Sequence, residues 1–386
     1  MFVPISYNVR SLLVRWKSTL FAIVGIAMVT AVLVALLAMS SGFRLALRST
    51  GSDQNAIVLQ QGSQSELSSS FSKEAGDWVA LDANIAHDRE GKPLVSPELV
   101  TIIALPGRSN DELTNVTVRG VSPMAFVVHY GIQIIAGRNV TPGLFEVVVG
   151  KRLQQRIRGL EVGSRIMLMK KEFQVVGVLA SDGNSFESEI WTDFDAMSSA
   201  FNRFGTENSL TLRLADPKTV SEFKQTIAAN PQYRLQIKPE DQYYEDEAGP
   251  LSKFLRSLAL FVSVVMGIGA VFGAMNTMYG IIAARAREIG TLRAIGFSQP
   301  SILLAFVLEG TFLALIGGLL GCLLSFVMDG FTATSSVNMG EVAFAFRVFP
   351  KDLLYGLGFA ALMGACGSLL PAFKAATSPL ARALRG

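Results

Sequence analysis

Residues 276–296 gather the side chains of this sequence that most invite a chemical reading. Asn276-Thr277-Met278 leads through a short apolar run into Ala284-Arg285-Ala286-Arg287-Glu288-Ile289-Gly290-Thr291-Leu292-Arg293-Ala294-Ile295-Gly296. On a helix, Ile289, Leu292 and Ile295 fall on one apolar stripe, while Arg285, Glu288 and Arg293 project away from it. Gly290 and Gly296 permit sharp backbone changes at the ends. A short, stiff helix with an apolar stripe and fixed charges has what is needed to enter a groove on a soluble partner. An ordinary basic loop, with Glu288 pairing Arg285, fits the same residues equally well at this level.

Other chemistries find little support. No G-x-x-x-x-G-K-[ST] occurs; Gly91-Lys92-Pro93 and Gly150-Lys151-Arg152 lack the upstream glycine and the hydroxyl, so no phosphate loop is present. H-E-x-x-H and G-x-S-x-G are absent too. The carboxylate groups Glu187/Glu189 and Glu245/Asp246/Glu247 read as solvated surface. With two histidines, His87 and His129, a Ser/His site is not raised above background. Cys322 and Cys366 both lie in apolar runs and read as small packing residues rather than a disulfide or a metal site. No catalytic and no metal-binding residues are assigned.

The elements that hold these residues follow from composition. Of 386 residues, 50% are apolar and 17% charged, with a mean hydropathy of +0.40, which is a membrane composition. The near balance of 34 Lys+Arg against 31 Asp+Glu argues against nucleic acid as a partner. Four apolar runs are long enough to cross a bilayer as helices: residues 20–39, 258–284, 302–328 and 353–373. Ala38-Met39-Ser40 faintly resembles a signal-peptide cleavage site, but the first run is too long for a typical signal core, so a retained helix is expected.

Between the first and second runs lie roughly 210 residues of mixed polarity. They read as an α+β domain with strands near residues 115–121, 131–135, 145–149, 165–169, 173–179 and 209–214, and helices over 151–158 and 219–229. Lys170-Lys171 suggests a hairpin, and the serine-rich stretch 63–72 reads as mobile or helical. Ahead of the first run, Val9, Leu12, Leu13 and Trp16 at helical spacing predict an interfacial amphipathic helix against membrane lipid. Nine basic residues flank one set of span ends (Arg10, Arg15, Lys17, Arg285, Arg287, Arg293, Lys374, Arg382 and Arg385) against six on the other. The positive-inside rule then puts both termini in the cytoplasm and the large domain outside.

Within the spans, Asn276 and Glu309 are the embedded polar residues. Glu309 lies about 10 Å into the third span at 1.5 Å per residue. A charge there is costly, so pairing is the favoured reading over a proton relay. Gly269/Gly273 and Gly317/Gly321 have G-x-x-x-G spacing, which suits close helix packing within the bundle or in a dimer.

This pattern resembles the FtsX-like, MacB-type permeases of ABC transporters. Their second-to-third helix junction, N-T-M…R-x-R-E-I-G-x-L-R-A-x-G, is matched at Asn276, Thr277, Met278, Arg285, Arg287, Glu288, Ile289, Gly290, Leu292, Arg293, Ala294 and Gly296. The resemblance continues through Glu309, the glycine run Gly317-Gly318-Leu319-Leu320-Gly321, Leu370-Pro371-Ala372 and the closing Pro379–Arg385 stretch. Looser matches lie at Val118-Arg119-Gly120-Val121, Ala136-Gly137-Arg138 and Val175-Val176-Gly177-Val178.

The resemblance implies that Arg285, Arg287, Glu288, Ile289, Gly290, Leu292, Arg293, Ile295 and Gly296 form a coupling helix that docks on an ABC ATPase subunit. It implies a dimer with a second permease copy or homologue, in the bacterial inner membrane. A periplasmic adaptor and an outer-membrane channel are further partners it allows. This chain would bind no cofactor itself, ATP and Mg being held by the ATPase partner, and would not be an enzyme. Because the sequence opens directly on the interfacial helix, the separate-subunit form is expected.

The expected layout is an interfacial helix over 1–17, the first span over 18–43 and an extracytoplasmic domain over 44–252. The second span (253–284), coupling helix (285–297) and third span (300–328) follow, then a short outer loop (329–352), the fourth span (353–373) and a cytoplasmic tail (374–386). The expected function is mechanotransmission: ATP hydrolysis on the partner rearranges the outer domain to export or extract an amphipathic, lipid-like substrate. Signalling to an outer partner such as a cell-wall hydrolase is the first alternative, and a membrane-anchored hydrolase the second.

Overall fold

The computed structural model describes residues 16–108, 112–337 and 340–377. The expected interfacial helix and the stretch after residue 377 lie outside the described residues. The chain divides into two compact units.

The first unit is built from most of the long helices α1 (Trp16–Arg48) and α7 (Glu240–Ala284) and from all of α9 (Gln299–Ser325) and α10 (Pro350–Thr377), with the short α8 (Ala286–Ala294) between α7 and α9. Four of them are long and apolar enough to cross a membrane, with mean hydropathies of 2.9, 2.3, 2.3 and 1.8 in chain order. This is the one-plus-three arrangement the sequence predicts. Ile26, Val29, Ala314, Ala360 and Met363 form a shared core, with Ala270, Val271 and Phe359 packed on it. Small residues set the approach between helices. A Cβ at Gly321 would sit 2.5 Å from the Ala27 carbonyl oxygen of α1, and one at Gly317 2.8 Å from the Ile23 carbonyl. Gly317 and Gly321 therefore pack inside the bundle, on the first span. Cys322 is buried as expected, whereas Cys366 is exposed on α10 among the described residues.

The second unit comprises Phe43–Leu251 together with Thr332–Ala345. Its main sheet has ten strands: β1 (Asn55–Gln60), β3 (Val95–Pro106), β4 (Leu113–Val121), β5 (Gln133–Gly137), β6 (Glu146–Gly150), β7 (Arg165–Leu168), β8 (Lys171–Ala180), β9 (Glu189–Asp193), β11 (Ser209–Arg213) and β12 (Leu235–Pro239). Their order is β12-β1-β11-β3-β4-β9-β6-β8-β5, with β7 also paired to β8. Helices α2 (Lys73–Ala80), α3 (Ala125–Val128), α4 (Lys151–Arg156), α5 (Phe194–Phe201) and α6 (Val220–Ala228) connect strands, and the short β2 (Phe71–Ser72) pairs β10 (Thr206–Glu207). One core gathers Val147, Val149, Phe173, Val175 and Ile190, and a second gathers Ala56, Val58, Leu210, Leu212 and Phe223.

The strands expected over 115–121, 145–149, 165–169, 173–179 and 209–214 fall on β4, β6, β7, β8 and β11, and 131–135 overlaps β5. The Lys170-Lys171 hairpin joins β7 to β8, with Leu168 opposite Lys171. Four sheet strands went unread. β1 and β9 are buried on both faces, so they show no alternation. β3 and β12 carry prolines that argue against a strand.

Two expectations are corrected. The stretch 63–72 is neither mobile nor one helix. Asn208 Nδ2 donates to the Glu66 and Ser69 carbonyls at 3.1 and 2.6 Å, and Tyr243 Oη lies 3.1 Å from the Glu66 amide, fixing it as a 3-10 turn and a strand. Nor is 329–352 a simple loop. Within it, β13 (Thr332–Val337) and β14 (Gly340–Ala345) pair as a hairpin that belongs to the second unit.

Candidate functional site

The segment between the second and third spans is a short helix anchored at one end and open along its outer face. α7 stops at Ala284 because Arg285 leaves helical geometry, at φ −106° and ψ 14°. Its side chain turns inward, and Nη1 lies 3.0 and 3.3 Å from the two Glu309 carboxylate oxygens. Both residues are buried. α8 begins one residue later. Ile289 packs among Met278, Ile281, Ile302, Phe306, Ala372, Ala375 and Ala376, the ends of the three neighbouring spans. At the far end Gly296 adopts φ +106°, a backbone region that glycine enters without steric cost. Phe297 N then donates to the Leu292 carbonyl at 3.1 Å, and Ser298 caps α9.

The expected coupling residues therefore divide. Arg287 and Glu288 are exposed, and Ile295 is 72% exposed. Ile289 and Gly290 are buried, while Leu292 and Arg293 are half-buried. The expectation that Arg285 projects outward, or pairs Glu288, is corrected. A carboxylate held within an apolar span recruits the nearest base, and Arg285 is that base for Glu309. The continuous stripe of Ile289, Leu292 and Ile295 is likewise split, Ile289 turning to the spans and Ile295 to the outside. Asn276, Gly269 and Gly273 lie exposed along α7, and a Cβ at either glycine would meet open space.

In the second unit the structure holds a buried charge network that the sequence reading missed. Arg119 in β4, 2% exposed, forks onto Glu189 at 2.8 and 3.0 Å and onto Glu66 at 2.7 and 3.0 Å, and reaches Glu98 at 2.6 Å. The other Glu98 oxygen lies 2.6 Å from His129 Nε2, and His129 Nδ1 lies 3.4 Å from Glu240. Glu240 accepts in turn from Asn55 Nδ2 and the Ser52 amide, both at 2.9 Å. Phe186 and Trp191 wall His129 at ring separations of 4.8 and 5.5 Å.

Burial alone would push the His129 imidazole down, but the Glu98 charge and the bonds from Glu240 and Glu98 hold it up at about 10. Burial likewise opposes ionisation of Glu98, yet His129 and Arg119 bring it down to about 2. Among the described residues His129 Nε2 bonds the Glu98 carboxylate and Nδ1 faces that of Glu240, with no hydroxyl bonded to either, so it forms no Ser/His dyad, and His87 is exposed.

The surface reading of Glu187 and Glu189 is corrected as well: both are buried. Glu189 serves Arg119. Glu187 accepts from the Ser181 and Gly183 amides at 3.0 and 3.1 Å and pairs Arg152 at 3.2 Å. The available signal was local, since Arg119 sits in the apolar run of β4 and Glu187/Glu189 sit between Phe186 and Trp191. A charge inside such a run implies a buried partner.

Comparison with known proteins agrees with this architecture. Residues 19–230 match the MacB-like periplasmic core domain, and residues 260–380 match the FtsX-like permease C-terminal domain. The chain is 27% identical over 236 residues to the uncharacterized ABC transporter permease MJ1507 of Methanocaldococcus jannaschii, covering 59% of each. It is 24% identical over 296 residues to the uncharacterized ABC transporter permease YknZ of Bacillus subtilis, covering 73% of each. Against the pyoverdine export ATP-binding/permease protein PvdT of Pseudomonas syringae it is 29% identical over 247 residues, which is 59% of this chain and 36% of that protein. The match thus spans about three-fifths of the archaeal relative and about a third of the pyoverdine exporter. With a MacB-like core domain inserted between its first and second spans and an FtsX-like C-terminal part, this chain belongs to the MacB/FtsX-type ABC transporter permeases.

Proposed function

We propose that this chain is the permease subunit of an ABC transporter and works by mechanotransmission. ATP hydrolysis on a separate ATPase subunit moves α8, and through it the spans, so that the outer domain changes shape. The observation that carries this reading is the form of α8. It is fastened to the spans by Arg285 and Ile289, and it leaves Arg287, Glu288 and Ile295 on its open side. Such a helix transmits force, because its inner contacts are stiff and its outer face is free to be gripped. No phosphate loop occurs in these 386 residues, so ATP and Mg are held elsewhere in the transporter.

In this reading α8 and both termini face the cytoplasm and the inserted domain lies outside, in line with the basic residues at the span ends. The permease acts as a dimer, with an adaptor and an outer-membrane channel as further partners where an outer membrane exists. The cargo is an amphipathic or lipid-like compound, exported or extracted on the outer side. The relative named for pyoverdine export supports the export half of this statement.

The test is to purify the affinity-tagged full chain with its ATPase and measure both the ATPase retained and its turnover. Glu288→Lys and Ile295→Asp are expected to lose the subunit or its activity, while Lys351→Gln retains both. Unchanged retention and turnover in the first two variants would remove the docking assignment.

A further inference from the structure

An open cleft of about 780 Å3 lies within the second unit. Its walls come from three segments: α4, with Lys151, Arg152 and Arg156; the connection between β8 and β9, with Asp182 and Glu187; and the start of β13. The volume is that of a pocket for a small organic ligand.

The walls are tied together by the protein's own ion pairs. Arg152 Nε meets Glu187 at 3.2 Å, and its Nη1 donates to the Ala343 carbonyl of β14 at 2.8 Å. Arg156 Nη2 meets Glu341 of β14 at 2.7 Å. Gly183, at φ +78°, lets the Arg152 guanidinium lie against the loop, where a Cβ would stand 2.8 Å from Nη2. The cleft is therefore formed before any ligand arrives.

What these pairs leave over is mostly donor. Glu187 is spent on Arg152 and on two backbone amides, and Glu341 on Arg156. The Lys151 ammonium is exposed and has no carboxylate within 4.0 Å among the described residues. The half-buried Arg156 side chain also lines the cleft; its Nη2 is shared with Glu341, and its Nη1 is closed to solvent. Gln155 and Thr332 add an exposed amide and an exposed hydroxyl to the lining. Of the two lining carboxylates, Asp182 alone stays exposed, and its charge disfavours a polyanion.

We propose that this cleft binds a small ligand through a single carboxylate or phosphate group, taken by Lys151 and Arg156. The anion neutralises Lys151 and shares the Arg156 guanidinium with Glu341, while Glu187 keeps Arg152 in the wall. The inference does not depend on ATPase docking, because it concerns the second unit alone.

Calorimetric titration of the detergent-solubilised full chain tests it, with inorganic phosphate, glycerol 3-phosphate and dihexanoyl phosphatidylglycerol (below its micellar concentration) as probes. Saturable binding of at least one probe is expected. A preference for the lipid identifies a lipid headgroup as the source, and a preference for glycerol phosphate identifies a soluble anion; either supports the site. Lys151→Gln, whose side chain holds nothing in the protein, should weaken binding about fivefold, the worth of one exposed charge contact. Arg156→Gln should weaken it further. No saturable binding up to about 10 mM, well beyond the range of a specific site, overturns the proposal. So does equal affinity in the wild-type chain and Lys151→Gln.

Discussion

Arg285 and Glu309, 24 residues apart in sequence, form a buried ion pair that ties the start of the short helix α8 to the third span. Removing one member alone leaves the other charge buried, which typically costs about 3–5 kcal/mol. Glu309→Gln and Arg285→Gln should each lower the melting temperature of the solubilised chain markedly. The double variant should recover much of the loss, because no lone charge remains. Additive losses in the double variant would show that the two side chains do not act as a pair.

The glycines of the two G-x-x-x-G spacings should respond in opposite ways. A side chain at Gly321 would run into the α1 backbone at Ala27, so Gly321→Val must separate the helices, with an expected loss of about 1–3 kcal/mol. Gly269→Ala meets open space and, in a chain that stands alone, should change stability by less than about 0.5 kcal/mol. Thermal melts of the two variants in the same detergent provide the check. Equal losses would mean that α7 is covered as closely as α9.

The contrast between α8 and Arg119 shows what the sequence discloses. α8 was legible because its ends are written in single residues: the charges interrupting an apolar run and the glycine needed at Gly296. The inward turn of Arg285 was not legible, because Glu309 comes near it only when the spans pack. Two strands of the main sheet, β1 and β9, were hidden for a similar reason. β9 carries Glu189, which counts as a surface residue until Arg119 of the neighbouring β4 is brought to it. Periodicity reads a strand with one wet face, whereas a strand buried on both faces declares itself only through its neighbours.

Arg119 should not be replaceable by lysine. Its fork satisfies Glu66, Glu98 and Glu189 at once, and a single ammonium cannot reach three carboxylates in those directions. Arg119→Lys is expected to cost about 3 kcal/mol or more, as for other broken buried networks, and Arg119→Met more still. Chemical denaturation followed by Trp191 fluorescence measures it, since Trp191 donates to Glu189 at 2.8 Å.

His129 should give the outer domain an alkaline weakness. Folding raises its pKa from 6.5 to about 10, against the effect of burial and through the Glu98 charge. A group raised in this way stabilises fully below pH 6.5 and loses that contribution as the pH climbs towards 10. Glu98, lowered to about 2, acts in the opposite window and loses its contribution only as the pH falls below 4.5. The pair is therefore most effective between about pH 4.5 and 6.5, and the melting temperature should fall steadily above that range. His129→Gln should melt lower at pH 6 and lose most of the slope between pH 6.5 and 10. An unchanged slope would assign the alkaline loss to another group.

Glu207 is a second, independent source of alkaline loss, and its variant separates the two effects. It is 3% exposed in β10, packs against Gly76 of α2, and its Oε2 has no hydrogen-bond partner. Burial, reinforced by the Asp77 charge, pushes its carboxyl from 4.5 up to about 8. An acid raised on folding contributes fully below pH 4.5 and loses its contribution as the pH rises through 8, where a charge must be carried in the buried site. Glu207→Gln keeps the shape of the neutral acid and cannot ionise. Its melting temperature should match that of the parent near pH 4.5, exceed it increasingly from there to about pH 8, and keep that lead at higher pH. Because Glu207 and His129 share no hydrogen bond, the two variants should add: Glu207→Gln removes its own part of the alkaline slope whether or not His129 is present. A constant difference between Glu207→Gln and the parent from pH 4.5 to 9 would show that Glu207 does not titrate in this range.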